Sequence, residues 1–314
     1  MVDPYVLALA PVLVPKVWGG YRLAPMVGES VSEPIGELWT MSAHAVHPTE
    51  VLNGELAGKK LDQILPELYF WGVPDPFPVL VKFLETYEPL SLQVHPDDDT
   101  ANRLEGYPFG KTEAWYILDA NNASVFLGLK KNKQKFIDAI EKGSPDLSKF
   151  MNVISPKKGD LIPVPAGMVH ASAGSLLFAE VQQNCDITYR MYDFGRDREV
   201  HLEKASASIK DTPISYPNIA VEVDCREEGY GLPLKLLWAC QAFKMVELDV
   251  SRLSSIYTSE HNFESLTVLG GEIALSTERG FIHLKTGHSC LIPKHCSLTL
   301  LNENGPAKVL RVTA

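Results

Sequence analysis

Four side chains able to hold a divalent cation stand on three short stretches of this chain. In Ser91-Leu92-Gln93-Val94-His95-Pro96, Gln93 and His95 lie two apart, and on an extended strand such residues point to the same face. Leu92 and Val94 then face the opposite side. The stretch Lys111–Leu118 carries Glu113 ahead of Trp115, Tyr116, Ile117 and Leu118. Residues Gly159–His170 read as a turn, a strand, a corner punctuated by Pro165 and Gly167, and a histidine entering the next strand. Neutral imidazoles, a carboxylate and an amide oxygen on the inner faces of adjacent strands make a divalent-metal cradle. Taken singly, each histidine reads rather as a half-buried polar residue. The set Gln93, His95, Glu113 and His170 carries the signal.

Strands must position these groups, and the chain is rich in them. Residues 6–14 read as an opening strand interrupted by Pro11, and 35–42 as a strand containing Glu37, a hydrogen-bonded or solvated strand residue. Trp18 reads as a core plug or as a substrate-facing ring. Leu61, Ile64, Leu65 and Leu68 have helical spacing within 60–71. The apolar strand 78–84 contains Lys82, which either snorkels from an edge or faces a cavity. Asp97, Asp98 and Asp99 follow Pro96 and read as the cap and first turn of a short helix over 100–104. A helix over 131–142, continued through 147–153, forms an insertion between two strands. Beyond a strand at 176–182, alternation puts Asp186, Thr188 and Arg190 on one face, and 196–210 reads as a helix.

Composition limits the function. Of 314 residues, 45% are hydrophobic and 22% charged, which gives a globular chain with ample core. The formal net charge of −10 argues against nucleic-acid and anionic-membrane partners. It leaves room for an anionic small molecule, because a few lysines and arginines can dominate one pocket. Cys185, Cys225, Cys240, Cys290 and Cys296 are odd in number and none has C-x-x-C spacing, so free thiols in a reducing cytoplasm are expected. The apolar stretch at 6–14 is too short to span a bilayer and lacks the basic flank of a signal peptide.

The C-terminal third repeats the pattern in weaker form. Phe263–Leu269 resembles Thr112–Leu118, and Gly287–Pro293 keeps the Gly-to-Pro distance of Gly159–Pro165. Five residues past Pro165 stands His170; five past Pro293 stands Leu298. A second barrel without the ligand is expected, with a boundary in the polar segment 211–230.

These stretches resemble the cupin superfamily and, within it, the type I mannose-6-phosphate (phosphomannose) isomerases of the short bacterial form. The matching residues are Trp18-Gly19-Gly20, Gly36–Trp39, Leu90–Asp98, Gly110–Tyr116, Pro165–His170 and Asp186–Arg190. The Gln-x-His at 93–95, in place of the commoner His-x-His, is itself typical of that family. The resemblance implies a mainly β fold of two cupin-type jelly-roll barrels with a small helical insertion. Residues 1–210 would form the metal-binding barrel, with the insertion near 131–152, and 211–314 the degenerate one.

By the same resemblance one Zn2+ per chain would be held by His95, Glu113 and His170, with Gln93 as a looser fourth ligand. Arg190 falls at the family's catalytic arginine, and Lys111 and Asp186 line the substrate pocket. Read from the residues alone, Arg190 could instead pair with Asp186 or Asp193 in the barrel wall. The implied reaction is mannose 6-phosphate to fructose 6-phosphate through an enediol(ate). Two other readings are a metal-dependent cupin oxygenase and a non-catalytic sugar-binding cupin.

Overall fold

The computed structural model describes residues 2–130, 133–143, 145–210, 221–223, 232, 234–251, 257–302 and 304–314. The fold is mainly β, as expected, and its strands form curled sheets. Pro11 splits the apolar opening stretch into β1 (Leu7–Ala10) and β2 (Val12–Gly20). There follow β3 (Ile35–Met41), β4 (Glu50–Val51), β5 (Val79–Thr86) and β6 (Leu90–Val94). The long β7 (Glu113–Leu129), β8 (Met151–Ile154), β9 (Leu161–Val164), the long β10 (His170–Gln183) and β11 (Tyr189–Tyr192) complete the first group. They pair in the order β11-β6-β10-β5-β3-β2, and β7 pairs with β10, β8 and β9.

Among the described residues the later strands are β12 (Val221–Val223), β13 (Leu234–Ala239), β14 (Lys244–Val250), β15 (Tyr257–Thr258) and β16 (Phe263–Gly270). They continue with β17 (Glu272–Thr277), β18 (Gly280–Lys285), β19 (Ser289–Pro293), β20 (Ser297–Asn302) and β21 (Ala307–Thr313). One sheet runs β12-β13-β14-β21-β16-β19-β1-β4, so N-terminal strands β1 and β4 extend it; a smaller sheet runs β15-β20-β17-β18. Leu248, Val268, Leu275, Ile292, Leu300 and Val309 pack between them.

Period-two alternation assigns the rest of the core. Trp115, Ile117, Phe178 and Ile162 fill the interior of the first group, with Trp18 packed in as a buried plug. The intervening Ala114, Tyr116, Ala179 and Val181 face out and pack with Phe243, Met245, Phe263, Leu310 and Val312 of the second group. Tyr116 also donates to the buried Glu247 carboxylate across this contact. Leu92 and Val94 turn away from the Gln93 side, as expected, toward Phe136, Ile137 and Ile140 of the helix Lys133–Glu141.

The Asp97 side chain accepts the Thr100 backbone N–H and caps the helix Asp98–Glu105. Asp98 accepts from Gly110 N and Gln183 Nε2, so this acidic run has structural work. Three helical expectations come out differently. Pro66 divides 60–71 into a 3-10 turn (Leu61–Gln63) and a helix (Leu65–Tyr69). Residues 147–153 give a 3-10 turn and then β8, because Val153 and Ile154 extend beside β7. The helix expected over 196–210 is confined to Leu202–Ser208. Its forerunner is held in an irregular path: Arg196 and Arg198 are tied to Asp193, and His201 N–H bonds the Arg190 carbonyl. The boundary expected at 211–230 falls almost wholly outside the described residues.

Candidate active site

Strand pairing and the loops at the strand ends bring the distant ligand candidates together. His170 opens β10 directly opposite Gln93 on β6, and Gln182 near the end of β10 lies opposite Glu113 at the start of β7. The corner before His170 is fixed by Gly167, whose φ of 86° is a conformation L side chains rarely adopt. Gly167 N–H bonds the His95 carbonyl at 2.8 Å, and Lys111 N–H bonds the Pro96 carbonyl at 2.9 Å. The loops bearing His170, His95 and Glu113 are therefore knitted by their backbones.

The ligating atoms of His95, Glu113 and His170 all lie within 4.8 Å of one another, and all three residues are buried. His95 Nδ1 lies 3.0 Å from the Ile187 carbonyl and His170 Nδ1 3.0 Å from the Met168 carbonyl. Each contact places the proton on Nδ1 and directs the Nε2 lone pair inward, the outer-shell pattern of metal-bound histidines. Glu113 Oε2 is 3.5 Å from His95 Nε2, and Oε1 is 3.5 Å from His170 Nε2. His95 Nε2 and Glu113 Oε2 are buried without a hydrogen-bond partner.

Burial drives the His95 ring down to about 3, and burial also lowers His170. Burial would raise Glu113, but the Lys111 ammonium and the His95 ring hold it well below the usual carboxylate range. Two neutral imidazoles and an ionised carboxylate are the protonation states a divalent cation needs. The residues fit a metal of the nitrogen–oxygen class.

Gln93 stands at the same place. Its Nε2 lies 3.1 Å from His170 Nε2, and its Oε1 accepts from Ser91 Oγ at 2.9 Å. A half-turn of the amide brings its oxygen to the ligand side and leaves the NH2 to donate to the Ser91 hydroxyl.

Beside the triad lies a cavity of about 270 Å³, near the lower end of small-molecule sites. Gln93, Lys111, Glu113, Asp186, Thr188 and Arg190 all line it, as do residues that sequence reasoning did not single out: Glu180, Ser91 and Arg198. Lys82, whose direction the sequence left open, faces this cavity. It stands opposite Glu180 across the β5–β10 pair, 3.2 Å from that carboxylate and 3.9 Å from Glu37. Glu37 is the hydrogen-bonded strand residue expected, accepting from Trp39 Nε1 at 2.6 Å.

The charges sort into distinct environments. Burial lifts Glu180 to about 7, with Glu113 adding to the rise against Lys82 and Lys111. Asp186 exposes its surface into the cavity; its enclosed position would raise it, but Lys82 and Lys111 hold it below its ordinary value. Burial would lower Lys82 and Lys111, yet the carboxylates facing them raise both. Arg190 donates from Nη1 to the Glu199 carbonyl at 2.7 Å, while Asp193 is occupied by Arg196 and Arg198. Its Nε is buried without a partner. Burial and the nearby Arg198 lower Arg190. The barrel-wall ion pair to Asp186 or Asp193 is not formed.

The family model described as phosphomannose isomerase type I, catalytic domain, matches residues 6–129. The chain is 43% identical over 213 residues to the probable mannose-6-phosphate isomerase GmuF of Bacillus subtilis (strain 168), covering 63% of this chain and 66% of GmuF. It is 32% identical over 298 residues to the mannose-6-phosphate isomerase ManA of the same organism, covering 91% of this chain and 92% of ManA. The crystal structure of the mannose 6-phosphate isomerase from Bacillus subtilis superposes with a TM-score of 0.87 at 31% identity, covering 98% of this chain and 99% of that one. A match that runs nearly end to end in both sequence and fold, with Gln93, His95 and Glu113 inside the matched catalytic segment, makes this chain a member of the type I phosphomannose isomerase family.

Proposed function

We propose that the protein interconverts mannose 6-phosphate and fructose 6-phosphate as a zinc-dependent aldose–ketose isomerase working through an enediol(ate). The observation that carries this reading is the juxtaposition of the His95–Glu113–His170 cradle with a cavity holding Glu180, Lys82, Lys111 and Arg190. The conversion moves a proton from C2 to C1 and a hydroxyl proton from O2 to O1. It needs a group that can accept and return a proton, and cations for the charge that develops on oxygen.

His95, Glu113 and His170, with Gln93 as fourth, would hold the zinc, which supplies Lewis-acid polarisation of the sugar oxygens when bound. Arg190, with the Ser91 hydroxyl on the same cavity wall, suits a phosphate dianion, and Arg198, held bidentately on Asp193, lines the wall beside it. Between the pocket carboxylates, Glu180 is the better proton carrier than Asp186, because its environment raises it toward neutrality while that of Asp186 holds it ionised. Lys82 and Lys111 then face the enediolate oxygens. Buried Trp18 and Trp115 on the cavity wall limit water near the reacting carbons.

In this reading residues 1–210 carry the catalytic barrel with its insertion near 131–152 and lend β1 and β4 to the sheet of the degenerate barrel, whose other strands come from 211–314. Cys185, Cys240, Cys290 and Cys296 are free, which suits a cytoplasmic enzyme, and among the described residues no helix is long and apolar enough to cross a membrane. The deciding experiment is a coupled assay of fructose 6-phosphate formation from mannose 6-phosphate, with metal content measured alongside. Turnover lost on chelation and restored by zinc is the expected result. A zinc-loaded protein without turnover would instead leave a sugar-binding cupin, and an iron-requiring oxygen uptake a cupin oxygenase.

A further inference from the structure

The second barrel reproduces the register of the first at the positions of the metal cradle. Glu113 pairs with Val164 and Gln182; Glu264 pairs with Ile292 and Thr313. Val164 and Ile292 each sit one residue before the proline of the repeated Gly-to-Pro turn. Gln93 pairs with His170, and Tyr257 pairs with Leu298, the residue in the His170 place. Two residues beyond Gln93 stands His95; two beyond Tyr257 stands Ser259. Glu180, opposite Trp115, corresponds to Arg311, opposite Leu266.

The carboxylate is therefore kept while both imidazoles are gone. Glu264 is fully buried, Arg311 is 2% exposed and Leu298 1%. Arg311 Nε lies 3.1 Å from Glu264 Oε1, and Nη2 donates to Glu264 Oε2 at 3.2 Å. Tyr257 OH donates to Glu264 Oε2 at 2.8 Å and accepts from Arg311 Nη2 at 3.2 Å. A buried carboxylate requires a cation, and Leu298 offers no lone pair to a metal.

We propose that this cluster is a closed copy of the metal centre, in which the Arg311 guanidinium holds the place of the divalent cation. Arginine stays protonated in proteins, so the cation of the second barrel is permanent and indifferent to chelators. The inference rests on the reading of the first barrel as a metal centre.

Two experiments on the full chain test it. Ser259→His/Leu298→His/Arg311→Ala restores the ligand types of the first barrel around Glu264. After equilibration with zinc and removal of the excess, it should carry one equivalent more than the unmodified chain. Arg311→Ala alone should recover thermal stability, or soluble refolding yield, in a few millimolar guanidinium and not in equal ammonium, with the unmodified chain indifferent to both. A folded triple variant with no additional zinc, or an Arg311→Ala protein for which guanidinium does no more than ammonium, overturns the proposal. The zinc content of the unmodified chain, read in the same run, reports separately on the first barrel.

Discussion

Trp115 donates its indole N–H to the carboxylate of Glu113, two residues earlier on the same strand, at 3.0 Å. The bond goes to Oε1 and leaves Oε2 without a hydrogen-bond partner beside His95 Nε2. The indole thus fixes the rotation of the carboxylate, whose Oε2 also lies 3.4 Å from Lys111 Nζ, and Trp115 stands edge-on to His170 and stacks on Phe178. Trp115→Phe keeps the stacking and removes the donor. Metal affinity, measured by chelator competition, should fall about 10–100-fold, as for other outer-shell partners, while the melting temperature of the metal-free protein stays close to that of the parent.

Arg190 should matter to turnover more than to folding, since its charge is not consumed by an ion pair in the barrel wall. Arg190→Ala is expected to lower kcat/KM by about 10²–10³, the usual cost of deleting a group that meets developing charge. The split between constants identifies its role. A rise in KM with kcat kept means uniform binding of the phosphate; a fall in kcat means contact made in the transition state.

Glu180 supplies the pH dependence. A base must be ionised to accept the C2 proton, so activity should fall as pH drops through about 7, where burial has lifted this carboxyl. Glu180→Gln should reduce kcat by roughly 10²–10⁴ and flatten that acid limb. A limb retained in the variant would assign it to another group.

The candidate ligands of the first barrel were legible because each is local. Gln93 and His95 share a face by period two, Glu113 and His170 follow turn signals, and the Asp97 cap reads directly from Pro96-Asp97. Glu180 was not legible: within Phe178-Ala179-Glu180-Val181 it looks like one polar residue in an apolar strand. Its meaning comes from Lys82, placed opposite it only by the β5–β10 register. Arg311 escaped for the same reason, since the sequence repeat shows that Leu298 lacks a ligand but not which cation faces Glu264. The helix expected over 196–210 failed over its first part because Asp193 and the Arg190 carbonyl hold 196–201 in an irregular path, and these tertiary bonds outweigh helical propensity.

Lys82 is 1% exposed between Glu37 and Glu180. Removing one member of a buried ionic group leaves the others uncompensated, at about 3–5 kcal/mol. Lys82→Met should show that loss in urea unfolding at pH 8, where Glu180 is ionised. Lys82→Met/Glu180→Gln removes one of the two stranded carboxylates and should recover a substantial part of the loss, giving a non-additive cycle.

Acid should destabilise the metal-free protein through its buried histidines. The ordinary value of His95 is 6.5, and burial lowers it to about 3 in the folded state. Between those limits the unfolded chain binds the proton and the folded chain does not, so stability rises with pH across that interval. The contribution is complete above about 6.5 and is lost as pH falls toward about 3; His170, also lowered by burial, acts in the same direction. Urea midpoints measured in chelator from pH 7 downward should therefore decline, and His95→Gln, which cannot take up that proton, should decline less steeply. Equal slopes for parent and variant would mean that the His95 ring is already charged in the folded barrel, a state that could not present Nε2 to a metal.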